Sequence, residues 1–192
     1  YTGTFSTDAT LAGREDLCGE HYAVPAVHAC HLENNTCFAY MDGRRMVVYS
    51  CNQVPHTLRR NIAEAIGMPL GDVRVVKPFL GGGFGNKQDT MYEPLVALAS
   101  QRLGGRCVAI TLSREETFVN TRTRHGFDMT IAAAADEAGD LTHRGIRINS
   151  NGGSYAAHTH AVAAYAVTSN FQTYKASAVQ IGESSTVYTN LP

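Results

Sequence analysis

The 192 residues predict an α+β fold, a two-layer mixture of small mixed sheets and helices. Two segments of alternating apolar residues, 36–41 and 46–51, flank Asp42-Gly43, a dipeptide suited to a tight hairpin turn. Two others, 55–66 and 91–103, repeat apolar residues at three- and four-residue spacing and read as helices. Strands and helices follow in irregular order, hairpins beside crossovers, which argues against a doubly wound parallel sheet.

In chain order, residues 1–5 read as a strand and the Gly-Arg-Glu-Asp run at 13–16 as a loop. After the 36–51 hairpin, Pro55 suits the first turn of a helix, where its missing N–H leaves nothing unpaired. Leu58, Ile62 and Ile66 line one side of that helix, and Gly67 stops it. Val73, Val75 and Val76 mark a short buried strand over 72–78, followed directly by a glycine-rich loop. The next helix, 91–103, is expected to bury Leu95, Leu98, Ala99 and Leu103 and to stop at Gly104-Gly105. A strand over 107–112 leads to Ser113, an N-cap whose capping-box partner is Glu116. Segments 127–134 and 141–150 pair across the turn at 136–140, a small-residue helix covers 154–167, and 177–181 is a last strand.

A chain of this length is read as one large domain, able to bury ~70% of the surface it would expose unfolded. A net charge of −1 offers no electrostatic case for nucleic acid or acidic lipid. No apolar run approaches the ~20 residues of a membrane span. The five cysteines, Cys18, Cys30, Cys37, Cys51 and Cys107, contain no CxxC pair. That speaks against a secreted disulfide framework, and against a zinc ribbon or iron–sulfur cage within this segment. They read as reduced thiols of a cytoplasmic protein. Both ends look cut, so the chain is expected to be part of a longer polypeptide.

The chemistry concentrates in Phe79-Leu80-Gly81-Gly82-Gly83-Phe84-Gly85-Asn86-Lys87-Gln88-Asp89. A dinucleotide fingerprint fails here, because Asn86 or Gln88 stands where the third glycine must pack. A phosphate loop fails too, because no hydroxyl follows Lys87 to hold magnesium. Gly81, Gly82 and Gly83 instead leave backbone N–H groups able to face an anion or oxo group. Phe84 can form a rigid wall against a planar ligand, with Lys87 and Gln88 adding a cation and a neutral amide. Upstream, Gln53 presents an amide between a strand end and a Val-Pro-led helix; the plainer reading is that it caps that helix or faces water.

Together, Gln53 and the glycine loop resemble the molybdenum-cofactor subunit of the xanthine dehydrogenase/aldehyde oxidase family, in particular its bacterial xanthine dehydrogenase-like branch. The resemblance rests on residues 52–89, continues through 92–125 and 150–160 and the closing Tyr-Thr-Asn-Leu-Pro, and includes His31-Leu32-Glu33-Asn34; residues 1–26 match poorly. It implies a partial molybdenum-cofactor-binding domain of an enzyme that hydroxylates an electron-poor carbon of a purine or related N-heterocycle with water-derived oxygen. Electrons would leave through iron–sulfur clusters and FAD on other domains or subunits. The rest of the molybdenum subunit and those subunits are the implied partners, and molybdenum with molybdopterin the cofactor. By the same resemblance, Gln53 matches a glutamine that hydrogen-bonds the apical oxo group of the metal. Gly83, Phe84 and Gly85 match the loop whose backbone amide approaches that group. Gln88 stands where eukaryotic xanthine enzymes carry a Glu that touches the purine; it cannot ionise, so it can orient substrate only by neutral hydrogen bonds. The resemblance also implies that this segment alone, with one wall of the site, neither holds the cofactor nor turns over. An aldehyde oxidoreductase of the same family, or a non-catalytic anion-binding module retaining the loop, are the alternative readings.

Other chemistry-bearing residues have plainer explanations. His28 and His31, or His158 and His160, suggest a metal only if partners lie nearby, and none is close in sequence. Arg122 and Arg124 are expected to pair with Glu115 and Glu116, Arg59 and Arg60 to face solvent or a subunit, and Tyr155 to line a substrate funnel.

Overall fold

A computed structural model describes residues 18–154, 158–175 and 179–188. The expected strand at 1–5, the loop at 13–16, Tyr155 and the last four residues lie outside them. Helices and mixed sheets are both present, as the sequence predicts. The chain divides into two compact units, 28–124 and 1–27 with 125–192.

The 28–124 unit is built on a four-stranded sheet of order β4-β3-β2-β5. β2 (Thr36–Asp42) and β3 (Arg45–Ser50) form the expected hairpin, with Gly43 in the left-handed region at φ 59°. Helix α1 (Pro55–Ile66) carries the chain from β3 to β4 (Val73–Val76), which lies parallel to β3. Leu58, Ile62, Ala63 and Ile66 are the buried residues of α1, and Gly67, at φ 67°, ends it as predicted. They pack with Ala39, Met46, Val48 and Val73 into the core of this unit. Helix α2 (Glu93–Arg102) follows, then β5 (Val108–Thr111), antiparallel to β2. Helix α3 (Arg114–Asn120) begins with the Ser113–Glu116 capping box.

Helix α2 turns a different face inward from the one its leucines suggest. Leu95, Leu98 and Leu103 are exposed, while Glu93, Val96, Ala97 and Ser100 are buried. The cause is polar. The Glu93 carboxylate accepts hydrogen bonds from Ser50 Oγ at 2.7 Å and from the Met91 and Tyr92 amides at 3.1 and 3.2 Å. Ser100 Oγ donates to the Arg106 carbonyl at 2.7 Å. These bonds set the rotation of the helix, since a buried carboxylate without partners is costly.

The other unit carries a sheet of order β1-β6-β7-β8. β6 (Gly126–Ala135) and β7 (Leu141–Gly153) form the second expected antiparallel pair. β1 (Cys18–Val24) pairs with β6, and β8 (Val179–Tyr188) lies parallel to β7 after helix α4 (Thr159–Gln172). Arg144, 5% exposed, reaches from β7 to the end of α4, donating to the Asn170 carbonyl and to Asn170 Oδ1 at 3.0 Å. Its guanidinium also stacks 5.3 Å from the Phe171 ring centre and 5.1 Å from that of Tyr174.

Candidate functional site

The glycine loop is held against the end of β3 by its own backbone. Gln53 N donates to the Lys87 carbonyl at 2.7 Å. Gln53 Oε1 accepts from Gly85 N at 3.1 Å and from Lys87 N at 3.2 Å. Two N–H donors on one amide atom require that atom to be oxygen, so the orientation of the amide is determined. Its Nε2 carries two N–H groups with no acceptor among the described residues. Gln53 therefore does not cap α1, which has no side-chain cap.

Between these bonds the chain makes a tight turn. Asn86 N donates to the Gly83 carbonyl at 2.8 Å, and Phe84 and Gly85 both have positive φ, 50° and 82°. That is the signature of a type I′ turn, unusual for phenylalanine. The Phe84 ring is 77% exposed. Its backbone N–H has no acceptor among the described residues, whereas that of Gly85 is taken by Gln53. Gly83 is required for contact: a Cβ there would lie 2.6 Å from Gln53 Cδ and 2.7 Å from Oε1. At Gly85 a Cβ would meet nothing within 4 Å, so that side of the turn is open to a ligand.

Beneath the turn the loop is pinned by residues the sequence does not single out as its supports. Asn86 is 3% exposed. Its Nδ2 donates to the Arg122 carbonyl and to Thr121 Oγ1 at 3.1 Å, and its Oδ1 meets His31 Nε2 at 3.1 Å. His28 Nε2 bonds Thr121 Oγ1 at 2.9 Å, so the two histidines belong to the loop's support. Burial, with His31 and Arg114 nearby, holds the His28 imidazole below its ordinary value. Among the described residues no group of three or more His, Cys, Asp or Glu is placed to hold a metal ion.

Lys87 is not a cation offered to a ligand. Its side chain is 1% exposed and its Nζ lies 2.7 Å from Glu33 Oε2. The same carboxylate oxygen accepts from Gly81 N at 3.1 Å, which takes up one of the glycine amides expected to face an anion. Arg122 pairs with Asp89, its Nε donating to Oδ2 at 2.6 Å, where the sequence suggests Glu115 and Glu116. Asn52 closes the other flank: Nδ2 donates to the Asp89 carbonyl and Oδ1 accepts from Val54 N, both at 2.8 Å. Gln88 lies half-buried between these clamped residues, and its side chain makes no hydrogen bond to any described residue. Of the sequence-predicted residues, Gln53, Gly83, Phe84 and Gly85 thus meet in one turn, with Gln88 three residues from Gly85.

The profile of the molybdopterin cofactor-binding domain matches residues 3–192. The chain belongs to that family. A xanthine dehydrogenase molybdenum-binding subunit of Escherichia coli O157:H7 is 40% identical over 173 residues, 90% of this chain and 23% of the relative. The chain thus spans about a quarter of the length of that curated relative. Quinoline 2-oxidoreductase from Pseudomonas putida 86 superimposes with a TM-score of 0.79 at 25% identity, over 94% of this chain and 23% of that one. The aldehyde oxidoreductase of Desulfovibrio gigas shares the fold, with a TM-score of 0.82 at 22% identity over 94% of this chain and 20% of its own.

The turn fits the cofactor of this domain family. Unspent donors, Gln53 Nε2 and Phe84 N–H, sit on a backbone fixed from below, and the Gly85 side of the turn is open. All five cysteines are free thiols, and among the described residues no helix is long and apolar enough to cross a membrane.

Proposed function

We propose that this chain forms one wall of the active site in a xanthine dehydrogenase-like molybdenum hydroxylase acting on a purine or related N-heterocycle. The observation that carries the reading is the locked Gln53 amide. Its oxygen is held by Gly85 N and Lys87 N, so its Nε2 donors are preset for an acceptor. Preset donors contribute most where charge changes during reaction, because they need no reorganisation. Gln53 and the Phe84 N–H would hold an oxygen ligand of the metal, with Gly83 and Gly85 giving the close approach. When bound, the molybdenum centre supplies the two-electron oxidising capacity for hydroxylating an electron-poor carbon with oxygen from water.

The chain's own residues orient and exclude. Phe84 offers an exposed aromatic face against a planar ring. Gln88 adds a neutral donor and acceptor that discriminates heterocycles by hydrogen bonding and cannot transfer a proton. The 40% identity to a xanthine dehydrogenase subunit supports a heterocycle over an aldehyde, for which the Desulfovibrio likeness carries the fold alone. Iron–sulfur and FAD partners, the remainder of the molybdenum subunit and a cytoplasmic setting complete this reading.

The test uses the full-length protein. Metal and pterin content are measured with turnover of xanthine, hypoxanthine, nicotinate and a small aldehyde, for the parent, Gln53→Ala and Gln88→Glu. Stoichiometric molybdenum with heterocycle turnover, lowered at least tenfold by Gln53→Ala, is expected. A correctly matured protein without molybdenum and inert to every substrate would leave the loop a non-catalytic scaffold.

A further inference from the structure

We infer that the groove between α1 and the edge strand β4 binds a dianionic phosphate group. This inference is independent of the reading of the glycine loop. The groove has a volume of about 400 Å³ and is lined by Arg45, His56, Arg59, Arg74 and Lys77 together with Val73 and Val75. Pockets of roughly 300–1,000 Å³ suit small organic ligands.

Charge is concentrated here against the balance of the chain. Residues 44–77 hold six of the sixteen Lys and Arg but two of the seventeen Asp and Glu, while the whole chain has net charge −1. No carboxylate lines the groove. The adjacent Asp72 is taken by Arg44, at 3.2 Å from its Nε. Arg45, Arg74 and Lys77 pair with no carboxylate among the described residues. Four cations around one concavity repel one another, and an anion relieves that repulsion.

One of these cations is already fixed in place. Arg59 donates from Nε to the Val73 carbonyl at 2.8 Å and from Nη2 to the Leu70 carbonyl at 2.6 Å. Its guanidinium is therefore held at the groove with its Nη1 donors unused by any described residue. A planar fork held this way matches two oxygens of a phosphate. Arg45, Arg74 and Lys77, all exposed, line the same groove. The first turn of α1 contains no acidic residue to compete.

The experiment measures binding of inorganic phosphate, adenosine 5′-monophosphate and adenosine to the full-length protein by titration calorimetry at physiological ionic strength. The expected result is saturable binding of one anion per chain, weakened at least tenfold by Arg74→Glu/Lys77→Glu and absent for adenosine. Arg74→Gln/Lys77→Gln, which only removes charge, is expected to weaken it by a smaller factor, and circular dichroism checks that both variants remain folded. Tighter binding of the nucleotide than of phosphate identifies a phosphorylated small molecule as the source, and equal binding identifies free phosphate. No saturation with either anion, or affinity unchanged in both folded variants, overturns the inference.

Discussion

Gly83→Ala isolates the contact on which the site is built. The new Cβ would lie 2.6, 2.7 and 2.9 Å from Cδ, Oε1 and Cγ of Gln53, all in one side chain. Gly83 does not have positive φ, so no left-handed backbone strain confuses the outcome. Overpacking costs ~1–3 kcal/mol and each lost hydrogen bond ~0.5–1 kcal/mol. Displacing the Gln53 amide breaks its bonds to Gly85 N and Lys87 N. The sum is ~2–5 kcal/mol of local stability. Hydrogen–deuterium exchange of a peptide spanning 79–91 in the full-length protein reads this directly. Since ~1.4 kcal/mol is a factor of ten, the Gly85 and Lys87 amides should exchange at least ~30-fold faster. Gln53→Ala removes all three clashing atoms, so in that background Gly83→Ala should add less than ~1 kcal/mol, a coupling of the size close neighbours show. Gly85→Ala is the control: it meets open space at φ 82° and should cost only the ~1–2 kcal/mol of a left-handed residue. If Gly83→Ala leaves exchange unchanged, or costs as much without the Gln53 amide as with it, the locked-amide account is wrong.

Breaking the Glu33–Lys87 pair should be asymmetric. Lys87 is 1% exposed and Glu33 28%, so Glu33→Gln leaves a buried ammonium unpaired and should cost ~3 kcal/mol, at least ~1 kcal/mol more than Lys87→Met, measured by urea denaturation. Burial depresses His28, which therefore resists protonation in the fold. The unfolded state then binds more protons, so local stability is full above the ordinary value near 6.5 and is lost as pH falls below it; exchange of the 79–91 peptide should accelerate there, and a His28→Gln variant should lose that dependence. Burial also pushes the Cys37 thiol up to about 12, and Cys51 upward as well. Brief iodoacetamide treatment at neutral pH should label the exposed Cys18, Cys30 and Cys107 and spare Cys37 and Cys51, as read by mass spectrometry.

Much of the local architecture was legible because it depends on neighbours in sequence. Helix α1 begins at Pro55 and ends at Gly67 as its pattern requires, and the Ser113 capping box and both antiparallel strand pairs follow from short-range chemistry. The buried face of helix α2 is not legible in the sequence, because its leucines suggest one face while the hydrogen bonds of Glu93 and Ser100 impose another. Periodicity counts apolar residues and cannot weigh the partners of a buried carboxylate. The pairing of β1 with β6 joins residues more than a hundred apart, beyond any local signal.

By itself the sequence determined which residues form the turn: a glycine-rich run after one strand, and a glutamine shortly after another. Their spacing and identity are local properties, and the family follows from them. The tertiary structure decided which polar groups remain available. Lys87 and the Gly81 amide are spent on Glu33, and the Gly85 amide on Gln53, while Gln53 Nε2 and the Phe84 amide have no acceptor among the described residues. The reason is that each donor is satisfied by whichever acceptor the fold brings within about 3 Å, and those acceptors come from segments 32 to 54 residues away.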